Sequence, residues 1–283
     1  MSSLTITLTN LKLSFSIHHS PMKNLFLIAD YGVGDPAFAE VVLQLRLFLS
    51  EQNVFIYSQS VNTFSTISTG FWIYQLALTK NIKDTFIYSN TAPRKHDKSE
   101  QKQNNGERLV YAQLENGVGV MAVHAGYVFS FVKPHIKKIG YVNVDNFGSQ
   151  FRSRDKYPKV VAEMVKKGEY DDFVDQDKEI VIPDYPKNVI AFIDGYGNIK
   201  TTTKLSEINL KPGQKVTITI NNLKHLATFT DGVFNIKEGE LAFAPGSSGH
   251  DSNFMEIFVR GGSAKFLYGK PNVETPISIE PIV

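Results

Sequence analysis

Cysteine is absent from all 283 residues. With it go any disulfide framework, thiolate nucleophile, iron–sulfur cluster or Cys-ligated zinc site. Net charge is nearly absent as well: 30 basic against 28 acidic side chains leave +2. That excludes a global field strong enough to make nucleic acid or an anionic membrane the main partner, so any anion site must be local. No run approaches the ~18 apolar residues of a spanning helix. Residues 1–21 lack both the basic start and the unbroken apolar stretch of a signal peptide. A cytoplasmic protein that acts neither on nucleic acid nor at a membrane is therefore expected. Its seven histidines lack the i, i+4 spacing and carboxylate companions of a metal site, so no metal is expected.

What is present is an ordinary globular composition, with 42% hydrophobic and 20% charged residues. At about 150 residues per domain, the length fits two domains or one large one. Residues 1–21 read as an N-terminal extension. Their period-2 alternation over Leu4 to Phe15 fits an added strand, while Met22-Lys23-Asn24 followed by LFLIAD reads like a chain start opening on a buried strand.

Residues 22–170 predict an α/β domain with a mostly parallel sheet. LFLIAD, a glycine-containing loop, a helix over AFAEVVLQLRLFLSEQ and the strand VFIYSQS form a βαβ unit. Asp35 is placed as an N-cap and Pro36 suits the first helical turn. A second helix is expected over Thr69 to Thr79, then strands DTFIYS, LVYAQLE and VGVMAVH, and a helix over YPKVVAEMVKKG. The polar stretch 94–108 reads as a mobile surface loop. Residues 171–187, acidic and then proline-containing, read as a linker. Residues 188–283 predict an all-β antiparallel barrel or sandwich, with AKFLYG as one of its last strands.

Several residues stand out. Gly32-x-Gly34-x-x-Ala37 matches a relaxed dinucleotide fingerprint, yet the second strand ends VFIYSQSVN with no acid for a ribose hydroxyl, and a plain strand-to-helix turn explains the glycines equally well. Asp30 lies at the carboxyl end of the first strand, where open α/β sheets place ligands. His250 sits in a Gly/Ser loop, where it could serve as an acid or base but reads rather as solvated. Lys133, Lys137 and Lys138 read as a solvated basic face, whereas Arg152 and Arg154 precede a helix beside Phe151 and could hold an anion. Asp194-Gly195-Tyr196-Gly197-Asn198 reads as a hairpin turn between VIAFI and IKTTT.

Four short motifs stand in series: strand-Asp30-Tyr31-Gly32, Phe151-x-x-Arg154-Asp155, Ile193-Asp194-x-Tyr196-Gly197-Asn198, and Met255-Glu256-Ile257-x-Val259-x-x-Gly262-Ser263-Ala264. In content and order, over residues 24–268, they resemble the S-adenosylmethionine hydroxide adenosyltransferases, relatives of the fluorinase and chlorinase enzymes. The resemblance implies an α/β domain, a C-terminal β-barrel and a homotrimer, with ligand held between the first domain of one subunit and the second of its neighbour. It implies Asp30 on the ribose hydroxyls, Asp194 and Asn198 on the amino-acid end, and Tyr196 with Ser252, Phe254, Glu256, Ser263 and Ala264 enclosing the ligand. No cofactor is implied beyond S-adenosylmethionine or adenosine itself.

The sequence also departs from that family. Its hydrolases carry Asp-Pro-Gly-Val-Gly followed by an arginine, then Phe-His-Gly-Arg-Asp, and the Asp, Arg and His orient the attacking water. Here the first stretch reads Thr91-Ala92-Pro93-Arg94-Lys95 and the second Phe151-Arg152-Ser153-Arg154-Asp155. Ala92 and Arg152 stand for the aspartate and the histidine; Arg94 could match the arginine. Three readings follow: an S-adenosylmethionine-cleaving enzyme with weak or altered catalysis, a non-catalytic binder of S-adenosylmethionine, adenosine or another adenosine derivative, and an unrelated protein sharing only turn motifs.

Overall fold

The computed structural model describes residues 22–91, 93, 106–145, 147–167, 174–175, 180–232 and 235–282. The N-terminal extension, and with it the alternation from Leu4 to Phe15, lies outside them, as do Ala92, Arg94 and most of the 94–108 stretch.

The first half comprises β1 (Lys23–Ala29), α1 (Pro36–Phe48), β2 (Val54–Ser60), α2 (Thr66–Ala77), β3 (Thr85–Asn90), β4 (Leu109–Leu114), β5 (Gly119–Val123), β6 (Ile136–Val142), α3 (Arg152–Asp155), α4 (Tyr157–Lys167) and β7 (Val174–Asp175). Its strands form one sheet in the order β2-β1-β3-β5-β4-β6-β7. β2, β1, β3 and β5 run parallel, and β4, β6 and β7 are added antiparallel. β1 is apolar on both faces because both are covered, as parallel strands require. Leu25 and Leu27 pack with Val41 and Leu45 of α1 and Val161 of α4, while Ile28 packs with Ile67 and Phe71 of α2 on the other side.

Asp35 caps α1 as its sequence suggests, accepting a 2.8 Å hydrogen bond from the Ala37 N–H, with Pro36 following it. α2 begins three residues before the expected Thr69. The cause is Ser65, whose Oγ accepts from the Ser68 N–H at 3.0 Å and so starts the helix earlier. β6 was hidden in the sequence by Lys137 and Lys138, which are exposed while Gly140 and Val142 of the same strand are buried. The 171–187 segment is no free tether where it is described. Tyr185 stacks on Phe131 at 4.1 Å, Pro183 O accepts from Ser130 Oγ and Lys133 pairs with Asp184 at 2.7 Å.

The second half comprises β8 (Ile190–Ile193), β9 (Ile199–Lys204), β10 (Lys215–Ile220), β11 (Leu223–Phe229), β12 (Leu241–Pro245), β13 (Phe254–Val259), α5 (Ala264–Leu267) and β14 (Ile277–Pro281). The sheet order is β14-β10-β11-β12-β13-β9-β8, antiparallel except for a short parallel β11–β12 pairing. Its two edges meet: Ile190 N–H donates to Thr275 O at 3.0 Å and Ile277 N–H to Asn188 O at 2.7 Å, which curls the sheet toward a barrel. AKFLYG is a helical turn and not a strand. Ser263 caps it, its Oγ accepting from the Phe266 N–H at 3.4 Å, and Ala264 is fully buried.

Candidate functional site

The sequence-chosen residues fall into two groups. The first lies at the carboxyl ends of β1 and β3. Because α1 leads to β2 on one side of β1 and α2 to β3 on the other, the strand order reverses there and opens a crevice between the loops. Asp30 directly follows β1 and is half-buried, and its Oδ2 accepts from the Phe64 N–H at 2.9 Å. Phe64 holds φ at 62° to present that N–H, a left-handed conformation that costs a bulky residue about 1–3 kcal/mol. Gly32 and Gly34 have open space where a Cβ would stand, so these glycines serve the turn rather than a close backbone approach.

Tyr31, next to Asp30, lies 2.6 Å from Ser153 Oγ, and Tyr88, fully buried, donates to Ser153 O at 3.2 Å. Burial, reinforced by the neighbouring Asp30 charge, raises the Tyr31 hydroxyl well above its ordinary pKa. Tyr31 is therefore a neutral hydrogen-bonding group across the physiological range. Neither Tyr31 nor Ser153 was singled out for the site from sequence. The Tyr directly after the candidate Asp and the Ser inside the RSRD motif were the available signals.

Arg152 and Arg154 part company. Arg154 pairs with Glu40 of α1 at 3.0 Å and with Asp155 at 2.6 Å, and these bonds push its guanidinium further up and the Asp155 carboxyl down. Its task is to tie α3 to α1. Arg152 turns toward the start of β4: a Cβ on Gly106 would sit 2.5 Å from its Nη2. There the Tyr157 hydroxyl is pushed up to about 12, first by burial, with Arg152 opposing and Glu107 adding to the rise.

The second group is the hairpin joining β8 to β9. Asp194 Oδ1 accepts from the N–H groups of Tyr196 and Asn198, each at 3.0 Å, and Oδ2 accepts from Asn198 Nδ2 at 3.1 Å. Gly197 holds φ at 84° and is pressed against the start of α5, so close that a Cβ on it would lie 2.0 Å from Ser263 Oγ. Lys265 N–H completes the contact by donating to Gly197 O at 2.8 Å. Tyr196, Asn198, Arg260 and Ser263 line a cleft of about 470 Å³ beside this junction, with Phe258 to Gly262 forming the rest of its wall. Tyr196 is 83% exposed at the rim of this cleft.

Of the remaining candidates, Glu256 lies near the hairpin but is engaged by Lys200 at 2.8 Å, and Lys200 also stands 3.6 Å from Asp194. No sequence motif marks Lys200; its place in the site comes from strand register, since β9 and β13 set it directly opposite Glu256. Phe254 is not brought into the cleft. Its ring is buried among Phe71, Tyr74, Phe131 and Tyr185 in the core of the α/β half. Ser252 falls in a short turn over 250–252. In the same loop His250 is packed, not solvated: it is half-buried, its Nε2 3.0 Å from Gln75 O and its ring against Tyr74. Among the described residues no group of three or more His, Asp or Glu gathers to hold a metal, and no helix is long and apolar enough to cross a membrane.

No family model and no curated protein matches the sequence. The fold is shared with solved structures. An uncharacterized conserved protein from Thermotoga maritima superimposes with a TM-score of 0.73 at 14% identity, covering 90% of this chain and 99% of that one. A conserved hypothetical protein from Thermus thermophilus superimposes with a TM-score of 0.62 at 14% identity, covering 91% and 100% of the two chains. At this identity the likeness is one of fold, an α/β domain followed by a curled β domain.

Proposed function

We propose that the protein binds S-adenosylmethionine or adenosine in a site completed between copies of the chain in a homotrimer, with weak or altered cleavage of S-adenosylmethionine. Asp30 of one copy takes the ribose hydroxyls, and the Asp194–Asn198 hairpin and Ser263 of the next close the other end. The observation that carries the reading is the hairpin pressed onto Ser263, which opens a cleft of small-molecule size with an exposed tyrosine ring at its rim. Both groups are edged by exposed apolar side chains, Val33 and Phe64 near Asp30 and Phe266 near the hairpin, as expected of surfaces that another copy covers.

Cleavage would form a bond from water oxygen to the ribose C5′ and break the C5′–S bond, releasing methionine with the bonding pair and one proton to solvent. The sulfonium is already an activated leaving group, so positioning supplies part of the rate. Removing the water proton needs a base. Arg152 stands where the resembling hydrolases keep histidine, and a guanidinium cannot accept a proton near neutral pH. Loss of general-base help alone removes about 10²–10⁴ in rate. The same loss supports a second reading, a non-catalytic binder of S-adenosylmethionine, adenosine or another adenosine derivative.

Calorimetric titration with each ligand, followed by chromatography for released adenosine, tests both readings. Asp30→Ala and Asn198→Ala should each weaken binding by about 1–3 kcal/mol, the cost of losing a buried hydrogen bond to a charged or amide group. Full affinity in both variants, with unchanged melting, would move the site elsewhere.

A further inference from the structure

We propose that Lys200 is a specificity-determining residue that fills the cation position of this site, setting it against ligands with an ammonium tail and in favour of plain adenosine. The inference rests on the adenosine-type reading above. Lys200 on β9 and Glu256 on β13 are a cross-strand pair, 9% and 7% exposed, with Nζ 2.8 Å from Glu256 Oε2 and 3.6 Å from Asp194 Oδ2. One ammonium of the protein's own thus sits between two carboxylates.

Little acceptor capacity is left for another. Both lone-pair sites of Asp194 Oδ1 are taken by the Tyr196 and Asn198 N–H groups, and Oδ2 serves Asn198 Nδ2 as well as Lys200. On the Glu256 side Lys200 takes Oε2, and the Gly246 backbone presses against that same oxygen, since a Cβ on Gly246 would lie 2.6 Å from it. The cleft wall adds a second cation, Arg260, whose Nη1 donates to Ile236 O. Lys200 already serves both carboxylates, so an incoming ammonium would have to displace it and meets its like charge on the way. Neutral adenosine meets neither obstacle.

The test compares calorimetric affinities for adenosine and for S-adenosylmethionine in the full-length protein. Lys200→Met alone would leave two carboxylates together in a buried place and could unfold the domain. The double variant Lys200→Met with Glu256→Gln avoids this. It removes the Lys200 ammonium together with the Glu256 carboxylate that pairs with it, so one net negative charge remains across positions 194, 200 and 256 and Asp194 is left without an internal cation. It should raise the affinity for S-adenosylmethionine relative to adenosine by about tenfold, while Lys200→Arg should keep the wild-type ratio. An unchanged or lowered ratio in the folded double variant overturns the role of Lys200 while leaving the adenosine-type reading intact. Failure of the wild-type protein to bind either compound overturns both.

Discussion

Phe254→Ala should destabilise the protein by about 3–5 kcal/mol, the usual cost of emptying a buried aromatic position. Phe254 opens a strand of the second sheet, but its ring, 1% exposed, lies within 6.3 Å of the rings of Phe71, Tyr74, Phe131 and Tyr185 on the α/β side. Removing it therefore leaves a cavity where the two halves meet. Its own backbone and its ring neighbour on α2 hold the docked loop as well: Phe254 N–H donates to Ser248 O at 2.9 Å, and Tyr74 OH donates to Gly249 O at 3.0 Å. Urea melts followed by tryptophan fluorescence and by far-ultraviolet circular dichroism should both shift, because Trp72 lies in the same cluster, 5.4 Å from Phe192. A loss below ~1 kcal/mol would mean that the two halves do not share this core.

Gly197→Ala should leave the fold standing and weaken adenosine binding at least ~tenfold. The residue needs a positive φ of 84°, which costs an L side chain roughly 1–2 kcal/mol. Its new methyl would also fall on Ser263 Oγ, 2.0 Å away. Either Ser263 Oγ turns away, which uncaps α5, or the hairpin lifts; in both cases Tyr196, Asn198 and Ser263 no longer line one cleft in the same way. Calorimetry beside a thermal melt separates the two effects; wild-type affinity in this variant would detach the hairpin from ligand binding.

The parts of the fold that were legible in the sequence are those set by local rules. The Asp35–Pro36 start of α1, the apolar run of β1 and the Asp194 to Asn198 turn each follow from capping, burial or turn chemistry within a few residues. The parts that were not legible depend on distant partners. β6 carries two exposed lysines, and what makes it a strand is its pairing with β4. Residues 180–185 read as a linker because the ring that receives Tyr185, Phe131, is more than fifty residues away. In the site, Asp30 and the hairpin were visible as chemistry at element ends. Tyr31, Ser153 and Lys200 were not, since their importance comes from contacts across 122 and 56 residues of sequence. Phe254 is the reverse case, a residue whose motif suggested ligand contact and whose packing gives it to the core.

A site shared between copies makes a sharp demand on mixtures. In the proposed trimer, Asp30→Ala and Asn198→Ala chains would each lack one half of the site, so neither homo-oligomer should bind adenosine with full strength. Dissociated and reassembled together in equal amounts, they should form rings in which roughly one site in four pairs an intact Asp30 with an intact Asn198. Calorimetric titration of that mixture should show about a quarter of the sites at wild-type affinity. No recovery above the two separate variants, in oligomers shown to be mixed, would contradict a ligand held between subunits.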